Sequence, residues 1–319
     1  MAQTAGSDMS VAVQQANRKS DYVIFWVNVI LSCIISGIAL VIGYYIAHSE
    51  DPAAVDEYGL SPVESFFVQN AMFIFIGLVV LVITLVMIRM MRQVYLGNAL
   101  QVEYSDFAWL RTWSNQVAKD LAMPPVEIMI TQDPVMNAFA FGFMKPYTIV
   151  LNSGTVRYAT KDQLKAIVVH EMAHIKYKHT AMSTYSSILR MIPGLGVLFG
   201  WMLDFWSRRA EFTADRLALT YLRDKEQVKQ ALICVHVGPD VAPTFNELAQ
   251  QWQVYKTDSS FNAFTQSFSS HPFLVRRLQR IEATYAKLAP LWQQEKVQAA
   301  EATQDSTHSD KDSSDGTAT

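Results

Sequence analysis

Residues 160–179 read TKDQLKAIVVHEMAHIKYKH, and the pentapeptide HEMAH occupies positions 170–174. Histidines four residues apart project from one face of a helix, so His170 and His174 could bind the same metal ion. Neutral imidazole is a good zinc ligand. Glu171 could flank the metal and take a proton from water that the metal activates. The pentapeptide therefore indicates a catalytic metal site, and the alternative is a buried helix with two incidental histidines.

The same stretch has the pattern of a buried helix. Thr160 is followed three residues later by Gln163, which is the spacing of a capping box. Apolar residues then recur through the segment, as expected of a helix inside a core. The sequence thus predicts that the candidate metal site lies on a buried helix.

The composition of the chain is unusually apolar. Half of the 319 residues are hydrophobic and only 17% are charged, which is low for a soluble protein. The formal net charge of -3 gives no reason to expect a nucleic-acid partner. Cys33 and Cys234 are the two cysteines, and neither has the spacing of a metal-binding pair.

Two long uncharged segments precede the metal motif, from Tyr22 to Ala47 and from Phe66 to Ile88. Each exceeds the roughly 20 residues that a helix needs to cross a bilayer. The alternative is a pair of buried helices in a soluble core. We predict a disordered tail over residues 1–20 and then a transmembrane hairpin over 21–92, with spans at about 22–47 and 66–88.

The distribution of charge predicts the topology. The loop over residues 48–65 holds five acidic residues and no lysine or arginine, whereas Arg18 and Lys19 precede the first span and Arg89 and Arg92 follow the second. Lysine and arginine favour the cytoplasmic side. We therefore expect two spans in the cell inner or plasma membrane, with the catalytic domain in the cytoplasm.

The remaining pattern predicts a domain around the metal motif over residues 93–292 and a disordered tail over 293–319. Short strands are expected at 126–130, 136–141 and 148–151, where apolar runs are bounded by turn residues. The apolar but charge-interrupted segment 182–206 is interpreted as a bent helical hairpin, lying against the membrane or over the active site.

Two acidic residues offer a third metal ligand. Glu211 and Asp215 are four apart in the segment AEFTAD, so they share a helix face. One carboxylate could bind the metal while the other accepts the N–H of a ligating histidine. The alternative is an ordinary solvated face, although the apolar residues Phe212, Leu217 and Leu219 nearby favour partial burial.

These motifs together resemble the HtpX-type membrane zinc metallopeptidases, which are related to the CAAX prenyl endopeptidases. Four motifs occur in the family's order: NAFA at 137–140, HEMAH at 170–174, AEFTAD at 210–215 and SHPFLVRRLQRI at 270–281. The sequence departs from the pattern at 182–206, where HtpX proteins usually carry two further clear hydrophobic spans. The nearest subfamily is therefore open.

The resemblance implies roles for particular residues. His170, His174 and Glu211 would bind one Zn²⁺ per chain, and Glu171 would be the general base. Asp215 would be the carboxylate behind a ligating histidine. Cobalt and manganese are not excluded by this set of ligands.

The resemblance also implies a substrate-binding strand and an oxyanion donor. Asn137, Ala138 and Phe139 would form an edge strand that pairs with an extended peptide, or else an ordinary core strand. His271 would donate to the oxyanion, or else cap a helix. Arg277 would orient His271, bind a carboxylate, or lie on the surface.

Two further histidines are not assigned to the site. His179 follows His174 by five residues rather than six, so the longer metzincin spacing fails. His236 is interpreted as a structural residue.

The expected fold is α+β and zincin-like: a mainly helical metalloprotease domain with a small sheet, behind an N-terminal transmembrane hairpin. The resemblance implies a membrane-anchored zinc endopeptidase whose partners are the bilayer and membrane or misfolded proteins. The alternatives are a peptidase that processes prenylated proteins and a scaffold that holds clients without cutting them. Intact Glu171 argues against the scaffold.

Overall fold

The computed structural model describes residues 19–47, 59, 62–141, 145–191, 195–266, 269 and 271–312. The predictions that concern residues 1–18, most of the loop over 48–65, Ser270 and residues 313–319 lie outside this part of the chain.

The described chain is mainly helical, with one small mixed sheet, so this part of the predicted fold is confirmed. The helices are α1 (Lys19–Ala47), α2 (Pro62–Asn98), α3 (Ala108–Asp120), α4 (Ser153–Tyr158), α5 (Lys161–Lys176), α6 (His179–Met191), α7 (Leu195–Leu222), α8 (Lys225–Val237), α9 (Glu247–Thr257), α10 (Ser260–Gln266) and α11 (Leu274–Asp312). The strands are β1 (Leu100–Gln101), β2 (Val126–Thr131), β3 (Ala138–Phe141) and β4 (Tyr147–Asn152).

The sheet has the strand order β1-β2-β4-β3. β2 and β4 are parallel, with Ile128 opposite Ile149, while β3 is antiparallel to β4, with Phe139 opposite Val150. β3 therefore lies at an edge of the sheet. The three strands predicted from the sequence correspond to β2, β3 and β4.

The core is built around α5, which carries the HEMAH pentapeptide. Val168, Val169, Met172 and Ala173 are fully buried there. The predicted capping box is present at its start, since the Thr160 hydroxyl accepts from the Gln163 amide at 3.2 Å and the Gln163 side chain accepts from the Thr160 amide at 2.9 Å. Burial and the cap together fix the helix beneath the sheet.

The first two helices are apolar. Within the residues whose side chains are described, Leu78–Asn98 of α2 is the segment long and apolar enough to cross a membrane by length and composition, and Asp21–Ile35 of α1 is a shorter apolar helix. The two-span hairpin therefore stays a prediction.

Two helix boundaries differ from the sequence prediction. α7 runs from Leu195 to Leu222 without interruption, so residues 195–206 and the AEFTAD motif share one helix. No glycine or proline occurs between positions 201 and 222 to end it. The predicted disordered tail begins at residue 293, but α11 continues to Asp312. Residues 293–304 are rich in Ala, Glu, Gln and Lys, which favour a helix.

Candidate metal centre

Three potential metal ligands converge between α5 and α7. His170 Nε2 lies 3.2 Å from His174 Nε2 and 3.3 Å from Glu211 Oε2, while His174 Nε2 lies 3.9 Å from Glu211 Oε1. One ligand atom from each residue lies within 4.8 Å of the others. The site forms because the two histidines share one face of α5 and α7 packs across that face.

These distances fit a zinc ion. Bonds of about 2.0–2.1 Å in a tetrahedral site place neighbouring ligand atoms about 3.3 Å apart. Two imidazoles and one carboxylate are also a donor set typical of catalytic zinc, with a fourth position left for water or substrate. His170, His174 and Glu211 are therefore suited to hold Zn²⁺.

Asp215 lies directly behind the first histidine. Its Oδ1 is 3.0 Å from His170 Nδ1. Because an ionised carboxylate only accepts hydrogen bonds, Asp215 holds a proton on His170 Nδ1, and Nε2 faces the centre, where a metal ion would replace its proton. Asp215 thus occupies the position that the resemblance implied for it.

Arg277 is buried beside both carboxylates, with 4% of its surface exposed. Its Nε and Nη2 donate to the two oxygens of Asp215 at 2.8 and 2.6 Å, and its Nη1 lies 3.0 Å from Glu211 Oε2. The interpretation of Arg277 as a surface residue is therefore excluded. It binds carboxylates, one of the two functional roles considered for it.

The charges around the centre shift the pKa values of its groups. Burial tends to raise the pKa of Glu211, but the charge of Arg277 and the hydrogen bonds from His170 and His271 together outweigh this and hold the pKa well below its usual value. Burial tends to lower the pKa of His170, but its hydrogen bonds to Asp215 and Glu211 raise it to about 10. Burial lowers the pKa of His174 to about 4. These shifts place a proton on His170, between the two carboxylates, and keep His174 neutral.

Glu171 is buried beside the ligands and does not belong to the cluster of three. Burial raises the pKa of its carboxyl group to about 7, although a hydrogen bond from the backbone of Ala140 opposes the shift. A carboxylate with a pKa near the working pH is suited to accept a proton and to release it again.

The edge strand β3 runs along the same cavity. The amide of Asn152 donates to the carbonyl of Asn137 at 3.0 Å, so Asn137 and alternate residues after it pair with β4. Ala138 and Ala140 therefore direct their backbone groups to the open edge, consistent with the contact from Ala140 to Glu171. Asn137, Ala138 and Phe139 all line the cavity.

His271 reaches the centre from the segment before α11. Its Nδ1 lies 3.3 Å from Glu211 Oε1, and 66% of its side-chain surface is exposed. The hydrogen bond to Glu211 raises the pKa of this imidazole. It stands where it can contact a molecule in the cavity.

The sequence prediction missed His179, which lies behind the second histidine. His179 is 4% exposed, and its Nδ1 is 3.1 Å from His174 Nδ1. The contact forms because the chain reverses at Lys178, whose φ of 60° is left-handed. Glycine would have signalled such a turn, but position 178 is a lysine.

The cavity around these groups has a volume of about 760 Å³. His236 is also part of its wall, so the interpretation of this residue as purely structural is incomplete. Its Nδ1 bonds to the Leu232 carbonyl at 2.9 Å. On one side the wall is mainly apolar, and its members come from α5, α7 and α8: Ala166, Ile167, Ala218, Val228, Ala231, Leu232 and Val235.

A mainly helical fold with a histidine pair, a carboxylate and a neighbouring glutamate defines the class as metallopeptidase-like. The family model of peptidase family M48 matches residues 104–285, more than half of the chain. The chain belongs to peptidase family M48.

Relatives in this family support the HtpX resemblance. The chain is 28% identical over 207 residues to a plastoglobule-localized metallopeptidase 48 from Arabidopsis thaliana, covering 59% of this chain and 60% of that protein. It is 28% identical over 111 residues to a protease HtpX homolog from Methanocaldococcus jannaschii, covering 34% of this chain and 38% of that protein. Each alignment thus spans less than two thirds of the relative's length.

A solved structure of Ste24p from S. mikatae aligns with 81% of this chain and 67% of its own, at 15% identity and a TM-score of 0.47.

Proposed function

We propose that this protein is a membrane-anchored zinc endopeptidase. The observation that carries the proposal is the convergence of His170, His174 and Glu211 to within 4.8 Å, with Glu171 beside them and an open strand edge along the cavity. A structural zinc site would be closed by four protein ligands, whereas this cluster has three and faces a cavity.

Zinc held by these three residues would polarise the scissile carbonyl and lower the pKa of a water molecule. Glu171 takes a proton from the attacking water and passes it to the amine of the leaving peptide. The amide of Ala140 orients this carboxylate. Asp215 holds the Nδ1 proton of His170, and Arg277 holds Asp215.

The substrate would bind as an extended strand along β3. The backbone carbonyl groups of Ala138 and Ala140 at this edge can pair with a peptide by strand addition, which requires no particular side chain. The scissile bond would then lie above Glu171. Side chains of the peptide would enter the apolar side of the cavity.

His271 is placed to donate a hydrogen bond to the oxyanion that forms at the scissile carbonyl. Among the described residues, Glu211 is the acidic group that the His271 side chain contacts. The exposed imidazole can therefore turn towards a substrate. We assign it a supporting part in catalysis, after Glu171.

The membrane hairpin over residues 21–92 would hold the metallopeptidase domain, residues 93–292, at the cytoplasmic face of the membrane. The exposed apolar surfaces of α1 and α2 support insertion of these helices in a membrane. Such tethering favours membrane proteins and misfolded membrane proteins as substrates, and with it a part in their quality control.

Cleavage of casein by the purified full-length protein tests the proposal. We expect activity that is abolished by chelation, restored by zinc and reduced at least about a hundredfold in Glu171→Gln. Cleavage that persists in the zinc-free protein would contradict it.

A further inference from the structure

A second buried cluster, separate from the main core, joins the start of α1 to α7. It consists of Phe25, Met182, Trp206 and Ala210. The rings of Phe25 and Trp206 meet edge to face with centroids 5.0 Å apart, and both side chains are almost inaccessible. The first turns of α1 are therefore packed into the metallopeptidase domain.

Asp21 adds a polar contact to this junction. Its carboxylate is buried, and Oδ1 accepts from Arg209 Nε at 2.9 Å and Nη2 at 2.7 Å. The hydroxyl of Thr213 donates to Oδ2. A buried carboxylate is strongly destabilising unless it is paired and hydrogen-bonded. The donors on α7 satisfy this requirement and fix the register of the two helices.

The two partners of Asp21 flank the ligand on α7. Arg209 and Thr213 are one turn apart and share one face of α7. Glu211 follows Arg209 by two positions and Asp215 follows Thr213 by two positions. Both carboxylates therefore lie about 200° around the helix axis from that face. The face that carries Glu211 contacts α5 and α11 through His170 and Arg277. One face of this turn of α7 thus contacts α1, and the opposite face contacts the metal centre.

A second route leads from α1 to the other ligand helix. Trp206 meets His179 edge to face, with ring centroids 5.9 Å apart. His179 in turn lies 3.1 Å from Nδ1 of His174. Phe25 therefore supports the residues that stand behind His174.

We propose that the first two turns of α1 position the zinc ligands, through Asp21 on α7 and Phe25 on Trp206. This inference rests on the zinc site proposed above. Asp21 and Phe25 are positioning residues, because they contact neither metal nor substrate. Groups that orient metal ligands typically change metal affinity by about ten- to a hundredfold, so loss of the Asp21 contact should weaken zinc binding.

The test uses the full-length protein in detergent. Asp21→Asn keeps the volume of the side chain and removes its charge, while Thr213→Val removes one donor and leaves the ion pair. The dissociation constant for zinc is measured by competition with a chelator, and the geometry of the ligands by the visible absorption of the cobalt-substituted protein. Because Asp21 acts through Arg209 and Thr213, we expect zinc to bind about tenfold more weakly to Asp21→Asn, the low end of the range for groups that contact a ligand directly. A smaller change is expected in Thr213→Val, and altered cobalt bands in both.

Glu127→Gln is the matched control. Glu127 on β2 forms an ion pair with Arg92 on α2 at 2.6 Å, and this pair also joins an apolar helix to the domain. The control variant should bind zinc as the parent does. Parental zinc affinity in Asp21→Asn would overturn the inference, as would an equal loss in Glu127→Gln. If Asp21→Asn does not fold, Thr213→Val decides, and unchanged affinity and cobalt bands there overturn it. A parent protein that binds no zinc would contradict the proposed function instead.

Discussion

Arg277 binds the carboxylate of Asp215 with two hydrogen bonds, from Nε at 2.8 Å and from Nη2 at 2.6 Å. Both side chains are at least nine-tenths buried, and they lie 62 positions apart in the chain. The planar guanidinium matches a carboxylate in a way that an ammonium group cannot. Asp215 is thereby fixed where it accepts the Nδ1 proton of His170.

This pairing predicts the effect of Arg277→Gln. The substitution leaves the charges of Asp215 and Glu211 buried without their cation, so the zinc-free protein should lose about 3 kcal/mol or more of stability. Arg277→Lys should recover only part of this, because lysine cannot bond to both oxygens at once. Thermal melting in the presence of a chelator measures both variants.

Arg276→Gln is the control for that experiment, since the neighbouring Arg276 is more exposed and contacts Asp258 at 3.5 Å. Its melting temperature should match that of the parent. Equal losses of stability in Arg277→Gln and Arg276→Gln would show that the buried pairing of Arg277 stabilises the protein no more than the exposed contact of Arg276 does.

Replacement of Glu171 by glutamine should separate chemistry from metal binding. Glutamine keeps the shape of the side chain but cannot accept a proton, so turnover should fall by at least about a hundredfold. Zinc content and melting temperature should stay at parental values because Glu171 is not a ligand. Near-normal turnover in the zinc-loaded variant would remove Glu171 from its proposed role as general base.

Glu282 provides a stability prediction away from the metal. It bridges Lys225 at 2.8 Å and Lys229 at 2.6 Å, and so joins α11 to α8. Burial tends to raise its pKa, but the two lysines outweigh this and lower the pKa below the ordinary value of 4.5. The charged carboxylate therefore contributes stability above about pH 4.5, which is lost as the pH falls through the folded-state pKa.

The expected size of this effect is small, because the Glu282 side chain is 40% exposed. Glu282→Gln should lower the unfolding free energy by no more than about 1 kcal/mol at pH 7. The difference from the parent should vanish in acid, below the pKa of the folded protein. If the difference in unfolding free energy between Glu282→Gln and the parent grows in acid, the predicted direction of the pH dependence is wrong.

The HEMAH helix could be predicted from sequence because its signals are local. A capping box, an apolar run and two histidines at helical spacing all lie within 20 residues, and α5 begins as they predict. The surroundings of the metal are different. Whether Arg277 is exposed or buried depends on how α11 packs against α7, and no local pattern carries that information.

Two other contacts could not be predicted from the sequence, because they also depend on tertiary structure and not on a local pattern. His179 reaches His174 through a left-handed lysine rather than a glycine, and Asp21 meets Arg209 across 188 positions. Asp21 precedes an apolar segment and resembles an ordinary charge at the end of a membrane helix. Its burial follows from tertiary packing alone.

The membrane topology can be tested by cysteine labelling of intact cells. In a background with Cys33 and Cys234 replaced by alanine, a membrane-impermeant thiol reagent should modify Ser61→Cys in the loop and spare Ser306→Cys in the tail. The reason is the absence of lysine and arginine from the loop and their presence on both flanks. The reverse pattern would place the metallopeptidase domain on the other side of the membrane.

The two carboxylates on α7 should have separable phenotypes. Glu211 lies 3.3 Å from His170 Nε2, inside the cluster of ligand atoms, so Glu211→Ala should abolish tight zinc binding. Asp215 contacts Nδ1 on the far side of the same imidazole, so Asp215→Ala should leave all three ligands and cost only about ten- to a hundredfold in zinc affinity. Zinc titration of both variants, beside Asp106→Ala as an exposed control, distinguishes the two roles. If Glu211→Ala binds zinc as tightly as the parent, the third ligand lies elsewhere and the proposed zinc centre is wrong.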